Sequence, residues 1–276
     1  MRKIEIMSLM TVLMVSGFVR AEEGKQQVQG TKLTAIEILK KADGVVNAPK
    51  DQDIAIEMIL IDKEGKEKNR KSKIIQKGSE KRMIKFLSPA DVEGLAFLDL
   101  PDDVMYLYLP AFKKIRRIAS HVKNTSFAGT DFTYDDMASL NYADEYVPEL
   151  TGEKKTDGLK PVIKEDQKQW QEQEFDHYIL ELKPKKGIQK DYSKLIMWVR
   201  KDNFYPIKIE YYSREGKLHK VMIRTKIEKE GEYWIAKEVE MSDLKKDHKT
   251  KMIISEVKYD QDLKDELFTE RYLKRR

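Results

Sequence analysis

Apolar residues repeat along the chain with two different periods, and each period predicts a type of element. Leu33, Ile36 and Leu39 recur at helical spacing, which predicts an amphipathic helix over residues 31–42 capped by Thr31 or Thr34. Beyond Pro49 the period changes to two, which is typical of strands. Strands are predicted over residues 54–62, 73–77, 81–87, 95–100 and 104–109, and again over 178–182, 194–200, 207–213, 217–229, 233–244 and 250–259.

The segments between these strands have the composition of tight turns. Gly, Pro, Asp and Asn supply the backbone conformations that hairpins need, so we predict antiparallel meanders. Residues 118–154 interrupt the alternation and are rich in Ser, Thr, Asn, Gly and Asp. This segment is predicted to form loops and a short helix, and residues 262–276 a short helical tail.

The predicted strands have one apolar and one polar face, and an apolar face must be covered. The sequence offers few helices for this purpose. Two arrangements are open at this point. A closed or sandwiched sheet would cover itself, whereas a strongly curved, half-closed sheet would enclose an apolar cavity with helices as a lid.

The first residues differ from the rest of the chain. A charged start precedes residues 7–19, which carry no charge and are too few to span a bilayer. We therefore predict a signal peptide over residues 1–21, cleaved after Ala21, with export to the periplasm and one domain over 22–276. An uncleaved N-terminal anchor helix is the alternative.

Composition and charge exclude several classes of protein. The chain has no cysteine, which rules out disulfides, a thiol nucleophile and Cys-ligated metals. Its 53 basic and 48 acidic residues nearly balance, so nothing in the net charge favours binding to nucleic acid. His121, His177, His219 and His248 lie in separate segments without metal-ligand or catalytic spacing. We expect a non-catalytic protein without cofactor or metal.

One cluster of positive charge is denser than its surroundings. Lys113, Lys114, Arg116 and Arg117 follow the aromatic strand predicted over residues 104–109. The cluster is either a solvated hairpin end or a contact with anionic lipid headgroups or an acidic partner.

Three stretches carry a resemblance to a known family. They are RMIKFLSPADVEGLAFLDL (residues 82–100), MYLYLPAFKKIRRI (105–118) and NTSFAGTDFTYDDM (124–137), and the later stretch LIMWVRKDNFYPIKIEYYSREGKL (195–218) adds to them. Together they resemble the outer membrane lipoprotein-sorting protein family, which is LolA-like. The likeness covers most of the chain after the predicted signal peptide.

The resemblance implies a mainly β fold, an unclosed antiparallel half-barrel with helices packed in its concave face. It implies that a hydrophobic cavity carries acyl chains between membranes. This chain is longer than the compact carrier of the family and has a charged stretch inserted at residues 159–174. Without cysteine it cannot be a lipoprotein like the family's receptor, which favours a soluble carrier or a soluble accessory to a membrane transporter.

We therefore expect a monomeric periplasmic carrier that binds lipid or lipidated-protein acyl chains, touches membranes transiently and delivers cargo towards the outer membrane. The strand pattern places eight residues in the cavity: Ile56, Met58, Phe86, Leu98, Met105, Leu107, Leu109 and Met197. Phe127, Phe132 and Tyr134 are expected to form the lid. The alternative is an envelope interaction module, accessory to a membrane transporter complex, in which the same sheet is fully packed.

Overall fold

The computed structural model describes residues 32–138, 141–155 and 175–275. The predicted signal peptide (1–21), the cap candidate Thr31 and the charged stretch at 159–174 lie outside the described residues.

Helix α1 covers Ala35–Val46 and begins at a capping box. Thr34 Oγ1 accepts a hydrogen bond from the Glu37 amide at 3.4 Å, and the Thr34 amide donates to Glu37 Oε2 at 2.8 Å. The helix therefore starts later than residue 31, and it continues past residue 42. Ile38, Leu39 and Ala42 form its buried face.

Thirteen strands of the described residues form one antiparallel sheet in the order β6-β5-β4-β3-β2-β1-β13-β12-β11-β10-β9-β8-β7. They are β1 Asp51–Ile61, β2 Glu67–Lys77, β3 Lys81–Ser88, β4 Ala96–Leu100, β5 Val104–Leu109, β6 Lys114–Arg117, β7 Tyr146–Lys155, β8 Asp176–Pro184, β9 Tyr192–Arg200, β10 Pro206–Ser213, β11 Leu218–Glu230, β12 Tyr233–Asp243 and β13 His248–Tyr259. Strands β6 and β7 are the two edges and do not pair with each other. The prediction of an unclosed antiparallel half-barrel is confirmed.

Short helices complete the fold. They are α2 Tyr134–Met137, α3 Tyr142–Glu145 and α4 Glu270–Leu273, with 3-10 turns at Pro110–Phe112, Ser120–Val122 and Asp265–Leu267. The sheet face that carries α1, α2 and α3 is the concave face. We call residues 119–138, which lie on this face, the inner segment.

Strands β6 and β7 are absent from the sequence-based prediction. The cluster at Lys114–Arg117 contains a single apolar residue, and β7 contains Pro148 and Gly152, which interrupt a strand pattern. Both occur at sheet edges, where proline and charge are tolerated and discourage further pairing. The stretch predicted as loop over 118–154 therefore becomes a strand at Tyr146.

The opposite, convex face is polar over most of the sheet and carries cross-strand ion pairs. Lys194 Nζ lies 2.7 Å from Glu181 Oε2, for example. Over β2 to β5 the C-terminal tail covers this face instead, with Phe268 and Leu273 buried against it. Asp51 fixes the start of the tail by accepting hydrogen bonds from the amides of Gln261 and Leu263. The tail thus covers the convex face and not the concave face.

Candidate functional site

The concave face is a continuous apolar surface that is rich in methionine. The register places Met222 opposite Met241 and Met58 opposite Met252 across neighbouring strands. Six strands contribute a buried methionine to this face: Met58, Met105, Met197, Met222, Met241 and Met252. Methionine is flexible and polarisable, so a surface of this composition can repack around apolar groups of different shape.

Most of the predicted cavity residues lie on this face. Five are buried in its main cluster, and they are Ile56, Met58, Phe86, Met105 and Met197. Leu107 packs against the cluster, and Leu109 is half-buried at the end of β5. Leu98 differs, because it lies in the second cluster on the convex face, beneath Phe268. Its neighbour Phe97 occupies the concave face.

The predicted lid residues insert into the concave face. Phe127 and Phe132 are buried and Tyr134 is half-buried. The Phe127 ring centroid lies 5.6 Å from those of Phe86 and Phe97 and 5.4 Å from that of Tyr134. Aromatic contacts of this kind contribute about 0.5–1.5 kcal/mol each beyond area burial. The inner segment therefore fills the concave face in the described conformation.

A cavity of about 80 Å³ remains between α1, α2 and the strands. Its lining is mixed, with Arg82, Arg224, Asp43 and Asp136 beside apolar side chains. The volume corresponds to about two or three water molecules, which is far too small for an acyl chain. Binding of such a chain therefore requires the inner segment to move.

Polar contacts hold the inner segment at its centre. Asp131, which is buried, accepts hydrogen bonds from Thr250 Oγ1 at 2.7 Å and lies 2.6 Å from His248 Nδ1. The Lys220 ammonium donates to the Asp131 carbonyl oxygen at 2.7 Å and lies 3.8 Å from Asp136 Oδ2. Burial raises the pKa of Asp136, and the nearby Lys220 charge opposes that rise.

Two arginines also hold the segment, Arg82 at its C-terminal end and Arg70 near its middle. Arg82 Nη1 donates to the carbonyl oxygens of Met137 and Ala138 at 3.1 and 2.7 Å, and its Nε donates to Gln76 Oε1 at 2.8 Å. Burial lowers the pKa of Arg82 to about 10. Arg70 donates to the carbonyl oxygen of Ala128. The arginine bonds to the inner segment go to backbone carbonyl oxygens, so they depend on the path of the segment and not on its side chains.

Lys190 joins the segment to α3. Its ammonium lies 2.7 Å from Asp135 Oδ2 and 2.8 Å from Glu145 Oε1, and its side chain is buried. Burial works against the charge of Lys190, but the two carboxylates outweigh it and raise the pKa of Lys190. Burial also raises the pKa of Glu145.

The predicted basic cluster is exposed and divides into two parts. Lys113 and Lys114 lie at the turn between β5 and β6, whereas Arg116 and Arg117 extend along the edge strand β6. Within the described residues none of the four forms an ion pair. The arrangement leaves four solvated cations at one edge of the sheet.

The four histidines have different surroundings. His121 lies in a 3-10 turn, His219 Nε2 is 3.5 Å from Asp243, and His248 contacts Asp131. Burial and then the nearby Arg200 lower the pKa of His177. The described residues contain no group of three or more His, Asp or Glu side chains placed to hold a metal ion.

Sequence reasoning missed the residues that hold the inner segment. Asp131 lies inside the GTDF stretch that carries the family resemblance, so its position was marked but its partners were not. The partners of Asp131 are His248, Thr250 and Lys220, which lie on distant strands, and a single sequence carries no signal that joins them.

Comparison with known proteins identifies the fold and the family. A family model described as "Uncharacterized protein" matches residues 78–275. The structure of a DUF1329 family protein from Desulfovibrio piger is 29% identical with a TM-score of 0.77, covering 87% of this chain and 97% of that one. An outer membrane lipoprotein-sorting protein domain from Vibrio parahaemolyticus is 26% identical with a TM-score of 0.75, covering 87% and 98%. The chain belongs to the family that this model describes, and its fold is similar to that of LolA-like outer membrane lipoprotein-sorting proteins.

A third LolA-like structure supports the fold. A LolA superfamily protein from Nitrosomonas europaea is 23% identical with a TM-score of 0.70, covering 87% of this chain and 99% of that one. No curated protein matches the sequence. Among the described residues of this LolA-like protein, no helix is both long and apolar enough to cross a bilayer.

Proposed function

We propose that this protein is a periplasmic carrier that binds the acyl chains of a lipid or lipidated protein on its concave face and delivers them towards the outer membrane. One observation carries the proposal. A methionine-rich apolar face lies beneath an inner segment that Asp131, Lys190 and Arg82 hold through polar contacts.

An acyl chain on this face would replace the aromatic side chains of the inner segment. Each buried methylene contributes about 0.8 kcal/mol, so a long chain compensates for displacing Phe127, Phe132 and Tyr134. Flexible methionines on neighbouring strands adapt to an unbranched chain at little cost in packing. In this proposal the described conformation is the closed form.

A similar solved structure supports the proposal independently of the site geometry. The Vibrio parahaemolyticus relative is described as an outer membrane lipoprotein-sorting domain, and its fold extends over 87% of this chain. The proposal takes from it the class of cargo and the periplasmic location, and it requires the signal peptide predicted over residues 1–21. It assigns binding and release to the protein, without a catalytic step.

A second function is favoured by the filled concave face. With a cavity of only about 80 Å³, the sheet and inner segment can act as a permanent core. The protein would then be an envelope interaction module, accessory to a membrane transporter complex, whose surfaces dock other proteins.

The two functions differ in their response to lipid. Native mass spectrometry of protein isolated from the periplasm without detergent, followed by lipid extraction, is expected to show a stoichiometric acyl species. Leu107→Glu places a charge on the concave face and is expected to abolish that species. Tyr106→Glu places the same charge on the convex face and serves as the matched control.

The protein should also gain thermal stability with added acyl ligand, because a ligand that binds only the folded state stabilises it by mass action. A mass without acyl species that stays unchanged after incubation with envelope lipids or a triacylated peptide would contradict the carrier and support the interaction module.

A further inference from the structure

The large exposed apolar side chains of the described residues are all at one end of the sheet. Antiparallel strands place alternate turns at the same end, and the register assigns six turns to this end, which we call the rim: residues 62–66, 89–95, 110–113, 185–191, 214–217 and 244–247. The large exposed apolar residues lie in these turns or in the strand ends beside them, and they are Leu87, Phe112, Val147, Ile188, Leu218 and Leu244. Phe112 is the most exposed, at 69%.

We group the six residues in three pairs, according to the neighbouring segments that carry them. Leu87 lies at the end of β3 beside loop 89–95, which is adjacent to the turn that carries Phe112, since Gly94 lies against Pro110. Leu218 and Leu244 are neighbours through the hydrogen bond from the Leu244 amide to the His219 carbonyl oxygen.

The third pair lies at the far side of the sheet. Val147 on the edge strand β7 and Ile188 in the β8–β9 turn lie on segments that are joined by the hydrogen bond from the Lys185 amide to the Glu145 carbonyl oxygen. The pairs are therefore spread from one side of the sheet to the other and do not form one patch.

The two ends of the sheet also differ in charge. The six rim turns contain ten basic and seven acidic residues, a net charge of +3. The four described turns at the other end, residues 78–80, 101–103, 201–205 and 231–232, contain one basic and five acidic residues, a net charge of −4. Loop 89–95 is the acidic exception on the rim, with Asp91 and Glu93.

Unpaired lysines stand beside each apolar pair. Lys113 and Lys114 flank Phe112, Lys217 and Lys245 flank the second pair, and Lys186 flanks Ile188. All five are exposed, and within the described residues none has a carboxylate within ion-pair distance. Some other cations of the rim are paired, such as Arg214 with Asp191 and Lys246 with Asp243, whereas these five are left to solvent.

We infer that the rim docks on the surface of an anionic phospholipid bilayer. Exposed apolar side chains interleaved with unpaired lysines enter the headgroup region and neutralise lipid phosphates. A protein interface of comparable strength has a contiguous buried core, whereas these three pairs are separated and suit an extended surface. The inference does not depend on cargo binding at the concave face.

The absence of cysteine makes the rim directly testable. Phe112→Cys, Ile188→Cys and Leu244→Cys each provide one site for an environment-sensitive fluorophore, and Lys264→Cys, exposed near the opposite end, is the control. With vesicles of phosphatidylglycerol and phosphatidylcholine, the three rim labels are expected to shift to shorter wavelength. The label at position 264 should not respond, and pure phosphatidylcholine vesicles should give little change at any site.

Charge reversal tests the lysines. Lys113→Glu with Lys245→Glu is expected to weaken binding to the anionic vesicles at least about tenfold, because each surface lysine contributes substantially to attraction by an anionic membrane. Lys50→Glu with Lys264→Glu makes the same charge change at the other end and should weaken binding less than about twofold. All four substituted residues are exposed, and thermal melts verify that both variants fold.

Three outcomes would overturn the inference. They are the absence of binding to anionic vesicles, an equal loss of binding in both charge-reversed variants, and a response of the rim labels to an acidic protein but not to protein-free vesicles. Acyl species retained by the rim variants, measured by lipid extraction, show that a docking defect is separate from a cargo defect.

Discussion

Asp131 and His248 meet across the concave face, with Asp131 Oδ2 2.6 Å from His248 Nδ1, although 117 positions separate them in the sequence. Thr250, two residues further along β13, donates to the same carboxylate oxygen. One carboxylate thus fixes the centre of the inner segment to a strand in the middle of the sheet.

Replacing that carboxylate should loosen the inner segment. Asp131→Ala is expected to destabilise the protein by about 1–3 kcal/mol, because it leaves buried Thr250 without its acceptor. Hydrogen exchange of the amides of residues 119–138 should accelerate more than exchange of the strands. Urea unfolding and exchange measured by mass spectrometry check both effects.

The matched control is Asp265→Ala, which removes an exposed carboxylate that also has two partners, Lys77 and Lys81. Exposed ion pairs contribute little, so this change should have a much smaller effect and leave the inner segment protected. Equal effects of the two substitutions would show that Asp131 does not hold the segment.

Lys190 provides a second test, through charge compensation. Lys190→Met leaves Asp135 and Glu145 facing each other without their shared cation, which should cost about 3 kcal/mol or more. Adding Asp135→Asn and Glu145→Gln to Lys190→Met removes the uncompensated charges and should restore much of the stability. A double-mutant analysis by urea unfolding checks this, and no recovery in the triple variant would contradict the ion-pair account.

The hydrophobic pattern predicted the strands well where one face of the sheet is exposed to solvent. Strands such as β9 and β10 alternate, since the convex face over them carries residues like Lys194 and Lys208. In β4 the pattern fails, because the C-terminal tail buries the convex face and both Phe97 and Leu98 are inside. Without alternation, no local pattern indicates whether Phe97 or Leu98 points towards the inner segment.

The contacts that hold the inner segment on the concave face could not be predicted from the sequence, for a different reason. Asp131 contacts His248 only in the folded sheet, in which β13 pairs with β1, a strand about 200 positions away in the sequence. The aromatic residues Phe127 and Phe132 were predicted as lid residues and are found inserted into the concave face. Whether they leave it is a property of the segment's stability, which no sequence pattern encodes.

Asp43 predicts a specific pH dependence. Burial raises its pKa to about 6, and Asp144 and Glu145 add to the rise, whereas hydrogen bonds from α3 amides oppose it. The folded state therefore binds the proton more tightly than the unfolded state, whose pKa is near 3.8. The stability from this group is complete below pH 3.8 and is lost as the pH rises through 6, by about 3 kcal/mol.

Asp43→Asn keeps an oxygen acceptor for the Ala143 amide and removes the titration. Relative to the parent, the variant should gain stability between pH 4 and pH 7.5 and match it at the low end. Thermal melts across this range measure the difference in stability. The titrations of Asp136 and Glu145 do not contribute to that difference, because both proteins retain these residues. A difference that is independent of pH would show that Asp43 titrates normally.

One substitution in the tail can distinguish the role of the convex face from that of the concave face. Phe268 is buried against the convex face, so Phe268→Ala should destabilise the protein by about 3–5 kcal/mol. The neighbouring Leu267 is only half-buried, so Leu267→Ala should destabilise the protein less. Because Phe268 does not touch the concave cluster, the folded variant should retain as much acyl species as the parent. Lipid extraction normalised to folded protein measures this, and loss of the acyl species would mean that cargo lies under the tail and not beneath the inner segment.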